Sequence, residues 1–309
     1  MYILSFNQKN TNDILFSEIK KATKFIIIHT LFFDDTGIYL NFINLLNSKI
    51  IEHPEIYIEI KIGLNPFLKP KLEGLDKKIK IILEEPRTLF FYVYHVRLFH
   101  TENVFALGGI DITRKNLHEN YHQFALFLTN KKYFIINESN YFNHEICNLY
   151  DFVGNSTNAY QKLLQCIYSA KQEIFIDNQY LLFDDFVEEL IKKKCTSDVK
   201  IYILTNGEES HNPLNKFETV VTKFIFQISR NLYKNKLKNN NITIVNSNKY
   251  THNKICVVDK RFLLFGSMNL MTRSINKDGD KEMSIFLDNE ELCNTLLSYY
   301  KDTFDYETI

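Results

Sequence analysis

The chain has 309 residues, 45% hydrophobic and 24% charged, a balance that supports a buried core and excludes a mainly disordered state. Lys plus Arg and Asp plus Glu number 37 each, so the formal net charge is zero. That argues against a surface that grips nucleic acid along its whole extent, while leaving room for a local basic groove.

In chain order, Ile14, Leu15, Ile19 and Ala22 share one face of a predicted helix. An apolar strand starts at Phe25, a helical stretch follows, and then strands at Ile56–Ile62, before Asn65-Pro66, and at Ile79–Leu83. The same order returns in the second half. Leu163, Leu164, Ile167 and Ala170 form a helix face, a strand starts at Phe175, and strands follow at Val199–Leu204, before Asn206-Gly207, and at Ile242–Val245. The segment Phe25-Ile-Ile-Ile-His-Thr-Leu-Phe-Phe-Asp-Asp35 aligns without gaps on Phe175-Ile-Asp-Asn-Gln-Tyr-Leu-Leu-Phe-Asp-Asp185. A repeat this long is a duplicated domain rather than a solenoid unit. Strands rich in Ile and Val alternating with helices predict an α/β fold in which each half is a mixed or parallel sheet covered by helices. The loop-like stretch Asp151–Tyr160 separates the halves, giving domains 1–150 and 151–309.

The second half reads Thr251-His-Asn-Lys-Ile-Cys-Val-Val-Asp-Lys-Arg-Phe-Leu-Leu-Phe-Gly-Ser-Met-Asn269. His252 and Lys254 are placed at the start of a strand, on one face, so an imidazole and an ammonium lie side by side. The next strand ends at Gly266-Ser267, where a glycine admits close backbone approach and Ser267 and Asn269 supply neutral donors. Such a set suits a tetrahedral oxyanion, with the imidazole attacking phosphorus or protonating a leaving oxygen.

The pattern HxKxxxxD followed by GSxN resembles the phospholipase D, or HKD, superfamily. Three further stretches carry the resemblance: Phe175-Ile-Asp-Asn-Gln-Tyr180, with Asn178; Gly108-Gly-Ile-Asp111, with Gly109 and Asp111; and His95-Val-Arg-Leu-Phe-His-Thr-Glu102. In the last, Arg97 stands for the lysine and Glu102 for the aspartate. Glu282 falls where the family keeps an acid that hydrogen-bonds an active-site histidine, and Gln123 takes the matching place in the first half. The resemblance implies two pseudo-twofold-related domains, similar to cardiolipin synthase and phospholipase D-like proteins, with the active site at their interface. It implies His95, His252, Lys254, Arg97, Asp259 and Glu282 as catalytic residues. Ser267, Asn269, Gly266, Gly109, Asp111 and Asn178 are the implied substrate-binding residues. The chemistry implied is phosphodiester hydrolysis or transphosphatidylation of a phospholipid through a phosphohistidine, in a monomer with two HKD halves. No metal and no cofactor are expected, because Lys254 and Arg97 supply the charge a cation would bring. Gln123 points to reduced activity, since an amide orients an imidazole but does not stabilise its cation.

Two other functions fit the same residues: an HKD-type nuclease acting on nucleic acid, and a catalytically weakened phosphate-binding interaction protein. Zero net charge and abundant Phe favour lipid. His118-Glu-Asn-Tyr-His122 matches the zinc pattern HExxH, but it runs into the strand-like Phe124–Leu128 instead of a helix. His100 is expected on the face opposite His95, and His29, aligned with Gln179, in the core or at a rim. Lys192–Cys195 is read as a helix carboxyl end and Tyr233–Lys238 as a solvated helix face. No run of 18 apolar residues spans a bilayer. The N-terminus turns polar at Asn7 without a basic region, the five cysteines form no CxxC pair, and the sequons at Asn137, Asn155 and Asn241 have no secretory route to act on. The expectation is a cytoplasmic protein, with at most peripheral association at a membrane surface.

Overall fold

A computed structural model of the chain describes residues 2–30, 37–64, 72–85, 94–111, 121–129, 152–179, 185–206, 242–247, 249–271, 274 and 280–304. It divides into two compact units: Met1–Asn140 with Asp278–Met283, and Tyr141–Lys277 with Ser284–Ile309. The short segment Asp278–Met283, late in the sequence, therefore belongs to the first unit.

In the first unit the elements are β1 (Tyr2–Ser5), α1 (Gln8–Lys21), β2 (Phe25–Thr30), α2 (Gly37–Glu52), β3 (Tyr57–Gly63), β4 (Lys80–Glu84), β5 (Leu98–Thr101), β6 (Phe105–Gly108), β7 (Tyr121–His122) and β8 (Ala125–Leu128). The main sheet has the order β1-β8-β6-β5-β2-β3-β4. Strands β2, β3 and β4 run parallel, and the pairs from β2 outward to β1 are antiparallel. Asn7 caps α1 by accepting from the Asn10 N–H at 2.9 Å. The stripe read from the sequence is the face that packs: Leu15, Ile19 and Ala22 are buried beside Ile26, Ile28, Ile58 and Ile60.

The second unit holds β9 (Phe152–Asn155), α3 (Ser156–Ser169), β10 (Glu173–Asn178), α4 (Asp185–Cys195), β11 (Lys200–Asn206), β12 (Ile242–Ser247), β13 (Tyr250–Thr251), β14 (Lys254–Val258), β15 (Phe262–Gly266), β16 (Met283–Asp288) and α5 (Glu290–Phe304). Its sheet order, β9-β16-β15-β14-β10-β11-β12, repeats that of the first unit strand for strand. Leu163, Ile167 and Ala170 of the α3 region pack on Ile174, Ile176 and Ile201. The sheets are mixed rather than parallel throughout.

The repeat is real in topology, but its register differs from the ungapped alignment. Ile26 pairs with Thr101, and Ile174 pairs with Val258. Thr101 and Val258 occupy the same step of the two motifs, so Ile26 corresponds to Ile174, two residues out of step with the match of Phe25 to Phe175. His29 accordingly corresponds to Asp177, not to Gln179. A strand has a side-chain period of two, so a slip of two leaves every residue on its face and the hydrophobic pattern cannot detect it.

Candidate active site

Each unit carries its own copy of the motif. In the first, Tyr94 bridges to Lys281, and the His95 N–H donates to the Lys281 carbonyl at 2.8 Å. That pairing sets the next side chain, Glu282, against the imidazole: His95 Nδ1 lies 2.9 Å from Glu282 Oε1, and the Glu282 side chain is fully buried. Lys281 is anchored in turn, with Nζ 3.5 Å from Glu84 Oε2 and 5.9 Å from the Tyr94 ring centre. Lys61 Nζ is 2.9 Å from Glu84 Oε1. Burial alone would raise the Glu84 pKa, but Lys61 and then Lys281 hold the carboxyl below its usual range. Beneath, the Tyr94 hydroxyl meets His29 Nδ1 at 2.6 Å, and His29 Nε2 lies 3.7 Å from Glu59 Oε1. The His29 contact, with Lys80 and Tyr57 and against the opposing effect of burial, holds Glu59 at about 2.

This geometry reassigns the acid. Gln123 was expected to weaken the first half, but the carboxylate that serves His95 is Glu282, because residues 278–283 pack in the first unit. Gln123 has a different local role: its Cγ and carbonyl sit 2.9 and 3.1 Å from where a Cβ on Gly109 would lie. Gly109 thus packs closely against Gln123 and Phe124. The neighbouring Gly108 has φ +101°, a conformation that suits glycine. Asp111 is engaged within the first unit. Its Oδ2 lies 3.0 Å from Arg97 Nε, with both side chains 1% exposed, and its Oδ1 accepts from the Thr30 hydroxyl at 3.0 Å. The Arg97 charge is therefore balanced inside the unit.

In the second unit His252 lies in the link between β13 and β14, just ahead of the strand rather than within it. Lys254 opens β14, is buried, and its Nζ donates to the His252 carbonyl at 2.8 Å and approaches Gln179 Oε1 at 3.4 Å. Ser267 and Asn269 are buried beyond the end of β15, which closes at Gly266. Asn178 Oδ1 accepts from the Leu270 N–H at 3.2 Å, so Asn178 fixes the loop that carries Ser267 and Asn269.

Asp259 lies at the opposite end of β14 from Lys254. It follows the far end of β14, at φ 52° with Lys260 at φ 56°, a pair of left-handed residues suited to a tight hairpin between β14 and β15. Its carboxylate accepts the backbone N–H groups of Lys171 and Gln172 at 2.8 Å and of Glu173 at 3.0 Å. Glu102 does the same in the first unit, taking the Thr23 and Lys24 N–H groups at 2.6 and 3.2 Å. The acid of each motif is a clamp on the turn before the central strand.

Sequence reasoning missed Asp177. It is fully buried and accepts from the Thr251 hydroxyl at 2.8 Å, Asn253 Nδ2 at 2.8 Å and the Tyr300 hydroxyl at 2.5 Å. Burial raises its pKa to about 6 against these bonds. The one available signal was a carboxylate inside an apolar strand.

His100, Lys193 and Lys194 serve as framework. His100 lies in β5 among Phe25 and Phe105, and burial lowers its pKa to about 4. Lys193 and Lys194 at the end of α4 donate to the Tyr168 and Val199 carbonyls at 2.8 and 2.9 Å. His122 sits in strand β7, while His118, Tyr180, Asn65-Pro66, Gly207, Tyr233–Lys238, Asn137 and Asn241 lie outside the described residues. Among the described residues no group of three His, Cys, Asp or Glu is placed to hold a metal, and no helix is long and apolar enough to cross a membrane.

Comparison with known proteins agrees with this architecture. Residues 163–305 match the family model described as cardiolipin synthase, PLD-like domain. The crystal structure of phosphatidylserine synthase from Haemophilus influenzae Rd KW20 is 12% identical, with a TM-score of 0.75 over 97% of this chain and 85% of that one. Polyphosphate kinase from Porphyromonas gingivalis is 11% identical, with a TM-score of 0.61 over 96% of this chain and 46% of the kinase. No curated protein sequence matches the chain significantly. Residues 163–305 thus resemble the cardiolipin synthase, PLD-like domain by sequence, and nearly the whole chain shares the fold of the phosphatidylserine synthase structure.

Proposed function

We propose that the protein breaks and remakes phosphodiester bonds of a phospholipid, as a hydrolase or phosphatidyltransferase, with His95 and His252 acting on one phosphate. The observation that carries this reading is the pair of His95 Nδ1 and the buried Glu282 carboxylate at 2.9 Å. A carboxylate on Nδ1 fixes the tautomer, leaves the reaction to Nε2 and stabilises the positive ring that forms on attack. In this reading His95 is the nucleophile. Its Nε2 bonds to phosphorus as the ester P–O bond breaks, and the His252 imidazolium gives its proton to the leaving alkoxide. His252 then takes a proton from water or an acceptor alcohol, which attacks phosphorus, breaks the P–N bond and restores His95. Lys254, two residues after His252 and strongly buried, meets the charge that grows on the non-bridging oxygens, with Ser267 and Asn269 as neutral donors. Arg97 adds less, because Asp111 balances it.

The lipid substrate is supported by the description of the matching family model, while the likeness to a phosphatidylserine synthase supports the fold. The same reading takes the protein as a cytoplasmic monomer that meets lipid at a membrane surface. The test is incubation with phosphatidylglycerol vesicles and, separately, with single- and double-stranded DNA, all in chelator. Release or exchange of the lipid head group, abolished by His95→Asn and by His252→Asn, is expected. Cleavage of DNA with lipid untouched makes the protein a nuclease. Phosphate binding without turnover of either makes it an interaction protein.

A further inference from the structure

The two motif histidines are supported differently. His95 is held at its ring by Glu282. The residue corresponding to Glu282 in the other copy is an amide: Ala125 pairs with Gly108 as Ser284 pairs with Gly266, which places Gln123 opposite Glu282 in the repeat. What distinguishes the second copy is beneath the motif. Asp177 of β10 accepts from Thr251, the residue before His252, and from Asn253, the residue after it. Tyr300 of α5 closes the same carboxylate. Thr251 is further fixed by Asn206 of β11, which accepts its N–H at 2.8 Å and donates to its carbonyl at 2.9 Å. In the first copy the corresponding His29 meets the hydroxyl of the residue before the histidine, Tyr94, and the residue after it is the apolar Val96, also buried.

We propose that Asp177 is the positioning residue for His252, one buried carboxylate that ties down both neighbours of that histidine and orients it through the main chain, as Glu282 orients His95 through the ring. A fully buried carboxylate is costly to a fold unless every oxygen is engaged. The first copy builds the same strand without one, so the architecture itself does not require it. The catalytic part of this inference rests on the reading of His252 as an acid–base catalyst; the positional part does not.

Asp177→Asn keeps the volume and removes the charge and one acceptor. Turnover of bis-para-nitrophenyl phosphate is expected to fall about 10²-fold in kcat, the scale of a small misplacement of a reacting group, with KM little changed. In protein with labelled histidine, the His252 imidazole resonance is expected to move while that of His95 stays. A folded variant with wild-type kcat and an unmoved His252 resonance overturns the proposal. If Asp177→Asn does not fold, Asn253→Val, which copies Val96 and removes one tether, takes its place under the same two readouts. If the wild-type protein turns over no phosphodiester, the resonance still decides: a moved His252 signal supports the positioning role and leaves only the proposed reaction at fault, and an unmoved one overturns both.

Discussion

Two carboxylates, each beside one basic group, divide the residue-scale chemistry. Glu282 is fully buried and 2.9 Å from His95 Nδ1. Replacing it by Gln keeps an acceptor but removes the charge that stabilises an imidazolium. For Glu282→Gln we expect kcat to fall by about 10²–10⁴-fold with substrate binding nearly intact, the upper end matching the loss of an orienting carboxylate in a serine protease triad. A Gln variant with wild-type turnover removes Glu282 from the mechanism. Asp111 instead neutralises Arg97, and neither side chain sees solvent. Asp111→Leu leaves a buried guanidinium without that partner and should cost about 3–5 kcal/mol of stability, whereas Arg97→Met combined with Asp111→Leu should recover most of it. Urea unfolding of the two variants checks this, and equal losses in both would show that the pair is not coupled. The sequence named all four residues through their motif spacing. It left open which histidine Glu282 serves, because spacing along the chain carries no information on which unit the segment 278–283 joins.

The central strand and its turn clamp are the working element in each unit. Strand existence and order were legible, because Ile- and Val-rich runs bounded by turns are the strongest local signal. Register was not, since the slip of two is silent: the sequence alignment sets His29 against Gln179, whereas the strand pairing sets it against Asp177. The acid of the motif was legible as a residue but not as a role: Asp259 holds three N–H groups at the turn before β10. Asp259→Ala should therefore destabilise the protein by about 2–3 kcal/mol while leaving kcat of the folded fraction unchanged, since it removes charge-assisted bonds distant in the strand from His252. A lost kcat in fully folded Asp259→Ala would support the catalytic role that the sequence resemblance implies. Asp177 makes a separate prediction on pH. Its pKa rises from 3.8 to about 6 in the fold, with burial as the leading cause and Tyr300, Asn253, Thr251 and Lys254 opposing it; Tyr299 also senses its charge. The folded state then binds the extra proton between those values, so this group stabilises the fold most below about pH 4, and its contribution is lost as pH rises through about 6. The loss is about 3 kcal/mol by pH 7. Denaturant midpoints of the wild type and Asp177→Asn should converge, or cross in favour of Asn, as pH rises over that window. Parallel curves would show that Asp177 is ionised throughout.

At the scale of the whole molecule, balance of charge decides what kind of attraction can bring substrate in. Lys plus Arg equals Asp plus Glu at 37 each, so there is no net field to draw the chain onto an anionic surface, and two of the buried cations already face acids: Arg97 faces Asp111, and Lys61 faces Glu84. Composition made this readable before any fold was known, as did the duplication, which shows in the identical strand orders of the two sheets. Substrate choice was not readable, because the same histidines and lysine suit any phosphodiester. Salt separates the candidates. A protein that tracks a nucleic-acid backbone through several phosphates releases as many counterions, and its affinity falls steeply and linearly on a log–log scale, with a slope of about −0.7 to −0.9 per phosphate contacted. A site that takes one phosphate into a buried half-site of neutral donors and one lysine should show a slope of about −1 or shallower, because charges inside the protein are screened far less than those at its surface. Apparent KM for phosphatidylglycerol in neutral-lipid vesicles, measured from low to high sodium chloride in chelator, is therefore expected to change little. A slope of several units would reveal a basic track along the protein that composition hides, and would move the substrate assignment from lipid to nucleic acid.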